Sequence, residues 1–499
     1  MAYLASEPAG PTNRTAPAAR RPSDDAVDED SDMPAGVAAG HPATAEVGLR
    51  TLAVGGCAAD AAVAATLACC VAESVLTGIG GGGFAVYYDA AAHAVTCLDF
   101  FCSVPGLDGD RAPSPMVPIE VAFGGVPLSY QIGEASVAVP GVPAGLGEMY
   151  RRWGRLPWHE LVAPAVDLAR SGVVLPHEQA RTLVSISEAM LPGFGASVYS
   201  PNGRLLEGGD LIYHPGLDLA LATLAEEGPG VFYTGWVGEL MAETVRAGGG
   251  VLSEADLAAY RVHDLPVHRA TVAGRTVLAR RDLNDTIGTL AALPADLADR
   301  PRAARAVALA DALGVRGGQR LGDTTNISVV DGEGNACVVT VTLGLGSGVW
   351  LPGLGVHLNS MLGEGELITG DPVPGQRMGS MMCPLVVVDA DGRLELGAGS
   401  AGASRIRTAL LHTLVNVLID GLDVAQAIAR PRFHVVDEVV HVEGGYDEAE
   451  LSGLATAGYK VNRWERIDHY FGGTSAVGRA GAAGDPRRGG AALFLPRLA

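Results

Sequence analysis

Lysine is almost absent from this chain: among 499 residues, only Lys460 is one. The many arginines and alanines read as a coding bias and carry no mechanism. Positive charge as a whole is short, with 35 basic against 56 acidic residues and a formal net charge of -21. A polyanion is then repelled rather than collected, which argues against nucleic acid and anionic membrane surfaces as partners and leaves small molecules as the expected ligands. Long hydrophobic runs are missing too. The longest uncharged apolar stretch, residues 61–72, is too short and too alanine-rich to span a bilayer. The amino terminus lacks the charged and apolar regions of a signal peptide, so no export is implied and a cytoplasmic location is expected. Cysteines number seven, show no CxxC and sit mostly in apolar runs, where they behave as small hydrophobes. The twelve histidines form no HExxH and no Cys/His cluster. Without a P-loop or a GxSxG elbow either, no metal and no cofactor is expected.

What is present is a chain able to bury a large core, 48% hydrophobic and 18% charged. Residues 1–33 are rich in Ala, Pro, Ser and Asp and poor in large apolar side chains, so a disordered tail is expected there. Order is expected from about Ala35. Residues 58–71 form an alanine-rich apolar pattern that predicts a helix buried on most sides. A glycine-rich turn over 77–83 then feeds a strand. It contains a nominal GxGxxG, but the order is helix, glycines, strand, the reverse of what a dinucleotide fold requires. Helical spacing follows at 142–152, 161–171, 217–227 and 236–247, and an Arg/Ala segment over about 275–316 reads as variable. Two strands, 325–330 and 336–343, flank the hairpin turn Asp331-Gly332-Glu333-Gly334-Asn335. Further strands at 385–389 and 394–397 and a helix from about 404 to 420 make the last third α+β.

Thr324 opens the first strand of that hairpin, and by itself a threonine there is bland. Its company is not. Gly55-Gly56-Cys57-Ala58-Ala59-Asp60, Gly78-Ile79-Gly80-Gly81-Gly82-Gly83-Phe84, Asp323-Thr324-Thr325-Asn326-Ile327-Ser328 and Gly402-Ala403-Ser404-Arg405-Ile406 occur in that order at matching separations. On these four segments the chain resembles the gamma-glutamyltransferase family over nearly all of its ordered length. The resemblance implies the four-layer αββα sandwich of the N-terminal-nucleophile hydrolases. It also implies self-cleavage between Asp323 and Thr324, giving a large fragment, 34–323, and a small one, 324–499, that stay together as partners in one catalytic domain. The family's supporting threonine falls on Thr342, for which a solvent-facing strand threonine is the plainer alternative. The backbone N–H pair of its oxyanion hole falls on Gly402 and Ala403, alanine replacing the second glycine.

The likeness weakens where the family reads a glutamyl group. Phe101 stands where an arginine clamp is expected, and an aromatic ring cannot recreate paired charge-assisted hydrogen bonds. Arg111 is close in sequence, with nothing to show that it substitutes. Gly344 replaces an expected asparagine, Glu364 is the candidate to keep the amine-binding charge, and of a serine pair only Ser380 remains, followed by Met381 and Met382. The usual cluster around 284–288 is not recognisable. His434 reads as structural. The leading expectation is a threonine hydrolase acting on an activated acyl bond, an amide or a C–C bond beside a carbonyl, of a substrate other than glutathione in specialised metabolism. Conventional gamma-glutamyl transfer and a processed but inactive binding protein stay open as alternatives.

Overall fold

A computed structural model describes residues 33–123, 126–314, 323–368 and 370–496. The tail expected at 1–33 lies outside them apart from Met33. Two large sheets dominate, built from β1 (Gly36–Ala39), β2 (Gly82–Asp89), β3 (Ala94–Phe100), β4 (His263–Leu265), β5 (His268–Val272), β6 (Arg275–Ala279), β7 (Asp323–Val330), β8 (Ala336–Gly344), β9 (Leu385–Val388), β10 (Leu394–Ala401), β11 (Gly473–Gly478), β12 (Gly481–Gly484) and β13 (Ala491–Phe494). The first sheet runs β13-β1-β7-β8-β2-β3-β4 and the second β12-β11-β10-β9-β6-β5. Every pairing within them is antiparallel.

Side-chain alternation explains the layering. On β7, Ile327 and Val329 share one apolar cluster with α1 (Pro42–Ala53) and α2 (Ala58–Ala72). Val330 instead joins Val338, Val386 and Val477 in a cluster between the two sheets. All fifteen residues of α2 are buried, as its unbroken alanine-rich pattern requires, and small side chains let it lie close on the sheet. The same outer layer holds α3 (Val142–Trp153), α4 (Trp158–Ser171), α5 (Leu217–Glu227) and α6 (Trp236–Ala247). Beyond the second sheet, α7 (Thr286–Ala291), α8 (Arg302–Gly314) and α9 (Arg405–Leu418) pack on the outward residues of β5, β6, β9 and β10. The result is helices, sheet, sheet, helices, the expected αββα sandwich.

The Arg/Ala segment supplies β6, α7 and α8. One expectation needs correction: β10 does not end at 397. It continues to Ala401 because its glycines make room for the facing sheet: a Cβ on Gly399 would collide with the side chain of Asn326. Asn326 fills that space with a buried polar network, accepting the Thr340 hydroxyl at 2.7 Å and donating to Ser328 Oγ at 3.1 Å. All seven cysteines are free and buried. Among the described residues no helix is long and apolar enough to cross a membrane, and no group of three or more metal-ligating side chains occurs.

Candidate active site

The hairpin strands carry Thr324 and Thr342 to the same place. Asp323 pairs with Gly344 and Thr325 with Val341, so the register slips by one residue between them. Thr324 thus faces both Thr342 and Leu343, a bulge of the kind that re-aims a side chain at the edge of a regular ladder. Both threonines are buried and line one recess between the sheets and α9. The solvent-facing alternative for Thr342 is therefore wrong. Its hydroxyl oxygen accepts the Gly344 N–H at 3.0 Å, which sets the hydroxyl proton to point elsewhere. Asp323 opens β7, and its side chain lies outside the described residues.

Gly402 and Ala403 sit where β10 turns into α9. Gly402 has φ +115° and Ala403 φ +50°, so the alanine occupies a left-handed conformation that costs an L-residue about 1 kcal/mol. What holds it there is hydrogen bonding from two sides: the Ala403 carbonyl accepts the Ile406 N–H at 3.1 Å and Asn284 Nδ2 at 3.1 Å. The turn thereby presents the N-terminal end of α9, a place that favours developing negative charge, to the recess that Ala403 lines.

The remaining wall consists of Phe101, Met361, Glu364, Leu367, Ser380, Met381, Met382 and Ile406 around a cavity of ≈20 Å³, about one water molecule. Phe101 is fully buried, stacked on Phe84 at 5.5 Å between centroids, and the Arg280 guanidinium lies over the Phe84 ring at 3.8 Å. The Phe101 carbonyl accepts the Tyr260 hydroxyl at 2.7 Å and a bond from Arg377, so its backbone is fixed. Gly344 has φ +69°, and a Cβ there would lie 2.7 Å from both Glu364 Oε1 and Ser360 Oγ, so a side chain at this position is strained and must displace those groups. Ser380 Oγ accepts the Met382 N–H at 3.2 Å.

All eight residues singled out from the sequence as catalytic or substrate-binding thus gather here, Gly402 through its neighbour Ala403. Arg111 does not: it donates to the Arg246 carbonyl at 2.9 Å in a separate cleft beside Asp108. His434 is buried away from the recess, its Nδ1 2.8 Å from Thr408 Oγ1, and burial pushes its pKa well down. Ile406 reaches the recess from the end of the Gly402–Ile406 segment, whereas no local pattern marks Met361 or Leu367 as lining it, or Asn284 as bonding to Ala403.

Comparison with known proteins adds to this geometry. The family model described as Gamma-glutamyltranspeptidase matches residues 44–281 and 295–495. Glutathione hydrolase 3 of Arabidopsis thaliana is 28% identical over 484 residues, covering 82% of this chain and 74% of its own. The Acylase ACY 1 proenzyme of Pseudomonas sp. (strain SE83) is 27% identical over 507 residues, covering 88% of this chain and 89% of its own. The crystal structure of cephalosporin acylase from Bacillus halodurans shares the fold, with a TM-score of 0.76 at 21% identity over 93% of this chain and 97% of that one.

Proposed function

The chain belongs to the gamma-glutamyltranspeptidase family of hydrolases and acyltransferases, and on that premise we propose that it cuts itself before Thr324 and then uses Thr324 as an acylase nucleophile. In the cut, Thr324 Oγ1 attacks the carbonyl carbon of Asp323 and the C–N bond breaks as an ester forms. Water then hydrolyses the ester, leaving a carboxylate on Asp323 and a free α-amine on Thr324. That amine, with an ordinary pKa near ~8, takes the hydroxyl proton in later turnovers, so cleavage creates the general base. Thr342 steadies the nucleophile's hydroxyl. The N–H groups of Gly402 and Ala403 stabilise the tetrahedral oxyanion, where one such donor is worth about 3 kcal/mol. The acyl group passes to Thr324 Oγ1, the leaving group departs with the proton, and water releases the acid. Proenzyme names among the relatives support the same course.

The observation that carries the substrate reading is the recess wall. Among the described residues no cationic side chain lines it; Phe101, Met361, Leu367, Met381, Met382 and Ile406 do, with Glu364 as the one carboxyl group. A substrate held there presents an apolar acyl body rather than a free α-carboxylate, since burying a carboxylate without a partner is costly. An amide, or a C–C bond next to a carbonyl, of a specialised metabolite fits that description. The conventional glutamyl reading has Glu364 and Ser380 in its favour. The test pairs gamma-glutamyl-p-nitroanilide with butyryl-p-nitroanilide, on protein first checked by mass spectrometry for a fragment beginning at Thr324. We expect cleavage and preference for the butyryl substrate. A single uncut chain of 51.0 kDa sinks the nucleophile reading, and preference for the glutamyl substrate sinks the acyl one.

A further inference from the structure

Glu73, just past the end of α2, is fully buried and has no part in the chemistry above. Its two carboxylate oxygens are taken from different directions. Thr44 Oγ1 of α1 donates to one at 2.7 Å, and Thr325 Oγ1 of β7 donates to the other in a still shorter bond. The backbone leaves space for this contact only because residue 40 is glycine: a Cβ there would run into both Glu73 Oε2 and Thr325 Oγ1. Arg488 and Cys69 are the other titratable groups that act on Glu73 electrostatically.

Thr325 follows the nucleophile in sequence and, by strand alternation, points to the helices while Thr324 points into the recess. Its surroundings are lopsided. β8 pairs with β7 as far as Thr325 and Asp323. β1, on the other edge, pairs at Val330, Val329 and Ser328 and goes no nearer to Thr324. The first residues of β7 therefore have a strand partner on one side only, and the Thr325–Glu73 bond ties them to the helix layer instead. In the intact chain Asp323 also holds Thr324 from upstream. After a cut Thr324 is a strand end, and strand ends open most readily.

We propose that Glu73 is a positioning residue for Thr324, clamping the end of β7 through Thr325 so that the nucleophile stays in the recess once the chain before it has been released. The inference rests on the reading of Thr324 as the nucleophile. When ionised, Glu73 suits the task because both its oxygens are acceptors, whereas an amide at this position has one oxygen for two hydroxyls.

Three variants of the full chain test it: Thr325→Val, Thr325→Ser and Thr44→Val. Each valine takes one hydroxyl from the same buried carboxylate, so their cost to folding is comparable, but only Thr325→Val frees the strand end. The readouts are the fragment beginning at Thr324, by mass spectrometry, and hydrolysis of p-nitrophenyl butyrate by the cleaved protein. Thr325→Val is expected to lower kcat roughly 10- to 100-fold with KM changed less than about twofold, as for a misplaced nucleophile. Thr325→Ser is expected to restore kcat, and Thr44→Val to lower the unfolding midpoint while leaving kcat within about twofold of wild type. Equal kcat losses in the two valine variants, or none in Thr325→Val, overturn the proposal while a cleaved wild type keeps the nucleophile reading intact. A wild type that is never cut at Thr324 overturns both. Should Thr325→Val not fold, Glu73→Gln takes its place: a partial kcat loss at constant KM supports the clamp, and wild-type kcat overturns it.

Discussion

The wall that carries Thr324 and the wall that faces it are built from different material. Thr324, Thr342, Gly402 and Ala403 stand on two paired strands and at the start of a fourteen-residue helix, and hydrogen bonds involving main-chain groups hold Thr342, Gly402 and Ala403. Phe101, Met361, Glu364, Leu367 and Met381 stand on loops and short turns, where local hydrogen bonds, aromatic stacking and side-chain packing hold them outside any ladder. The first wall sets a geometry that the proposed chemistry cannot vary. The second can be changed one side chain at a time without disturbing a ladder. Reaction type and acyl preference are thus separable because they rest on different kinds of support.

That division can be broken or sharpened by measurement. Phe101→Ala should cost about 3–5 kcal/mol of stability, the usual range for emptying a buried aromatic site, and should raise the ratio of p-nitrophenyl octanoate to butyrate hydrolysis as the recess widens. Urea unfolding and the rate ratio report the two effects, and loss of all turnover with the fold intact would show that the walls are not separable. Next comes pH. Burial raises the Glu73 pKa to about 7, against the hydrogen bonds from Thr325 and Thr44. Between the ordinary carboxyl value and about 7 the native protein keeps a proton that the unfolded chain has lost, so stability falls as pH rises through that window. The loss is on the order of 3 kcal/mol, and Glu73→Gln should flatten it in urea midpoints taken at pH 5 and pH 8. The smallest effect is expected from Ala403→Gly. Relieving the left-handed alanine should stabilise the fold by about 1 kcal/mol, read from the same unfolding curves; destabilisation would show that the methyl group's packing outweighs its strain.

The regular wall was largely legible in the sequence. The periodic segments at α5 and α6 predict those helices to the residue, and the hairpin turn at Asp331–Asn335 fixes which strands carry the two threonines. These features are local, so a local pattern reports them. The contacts that tune the site are not local: Thr325 meets Glu73 from 252 residues away, and Asn284 reaches Ala403 from 119. Nothing in the segment around Asn284 announces that it bonds to the turn at Gly402–Ala403. Strand β10 was read short for a related reason, since its glycines look like a strand end until Asn326 of the opposite sheet is seen to occupy the space they leave.

The strand order of the first sheet has a consequence for the proposed mature enzyme. Taken across β13-β1-β7-β8-β2-β3-β4, the strands from before and after Thr324 are interleaved, with β1 lying between β13 and β7. A precursor that unfolds recovers this order within one molecule, at the high effective concentration a tether provides. A cut protein that unfolds must recover it by collision of two chains, at a rate proportional to their concentration. Dilution that leaves precursor refolding untouched should make denaturation of the cut form one-way, so the same step that exposes the nucleophile's amine also ends the chain's capacity to renew itself.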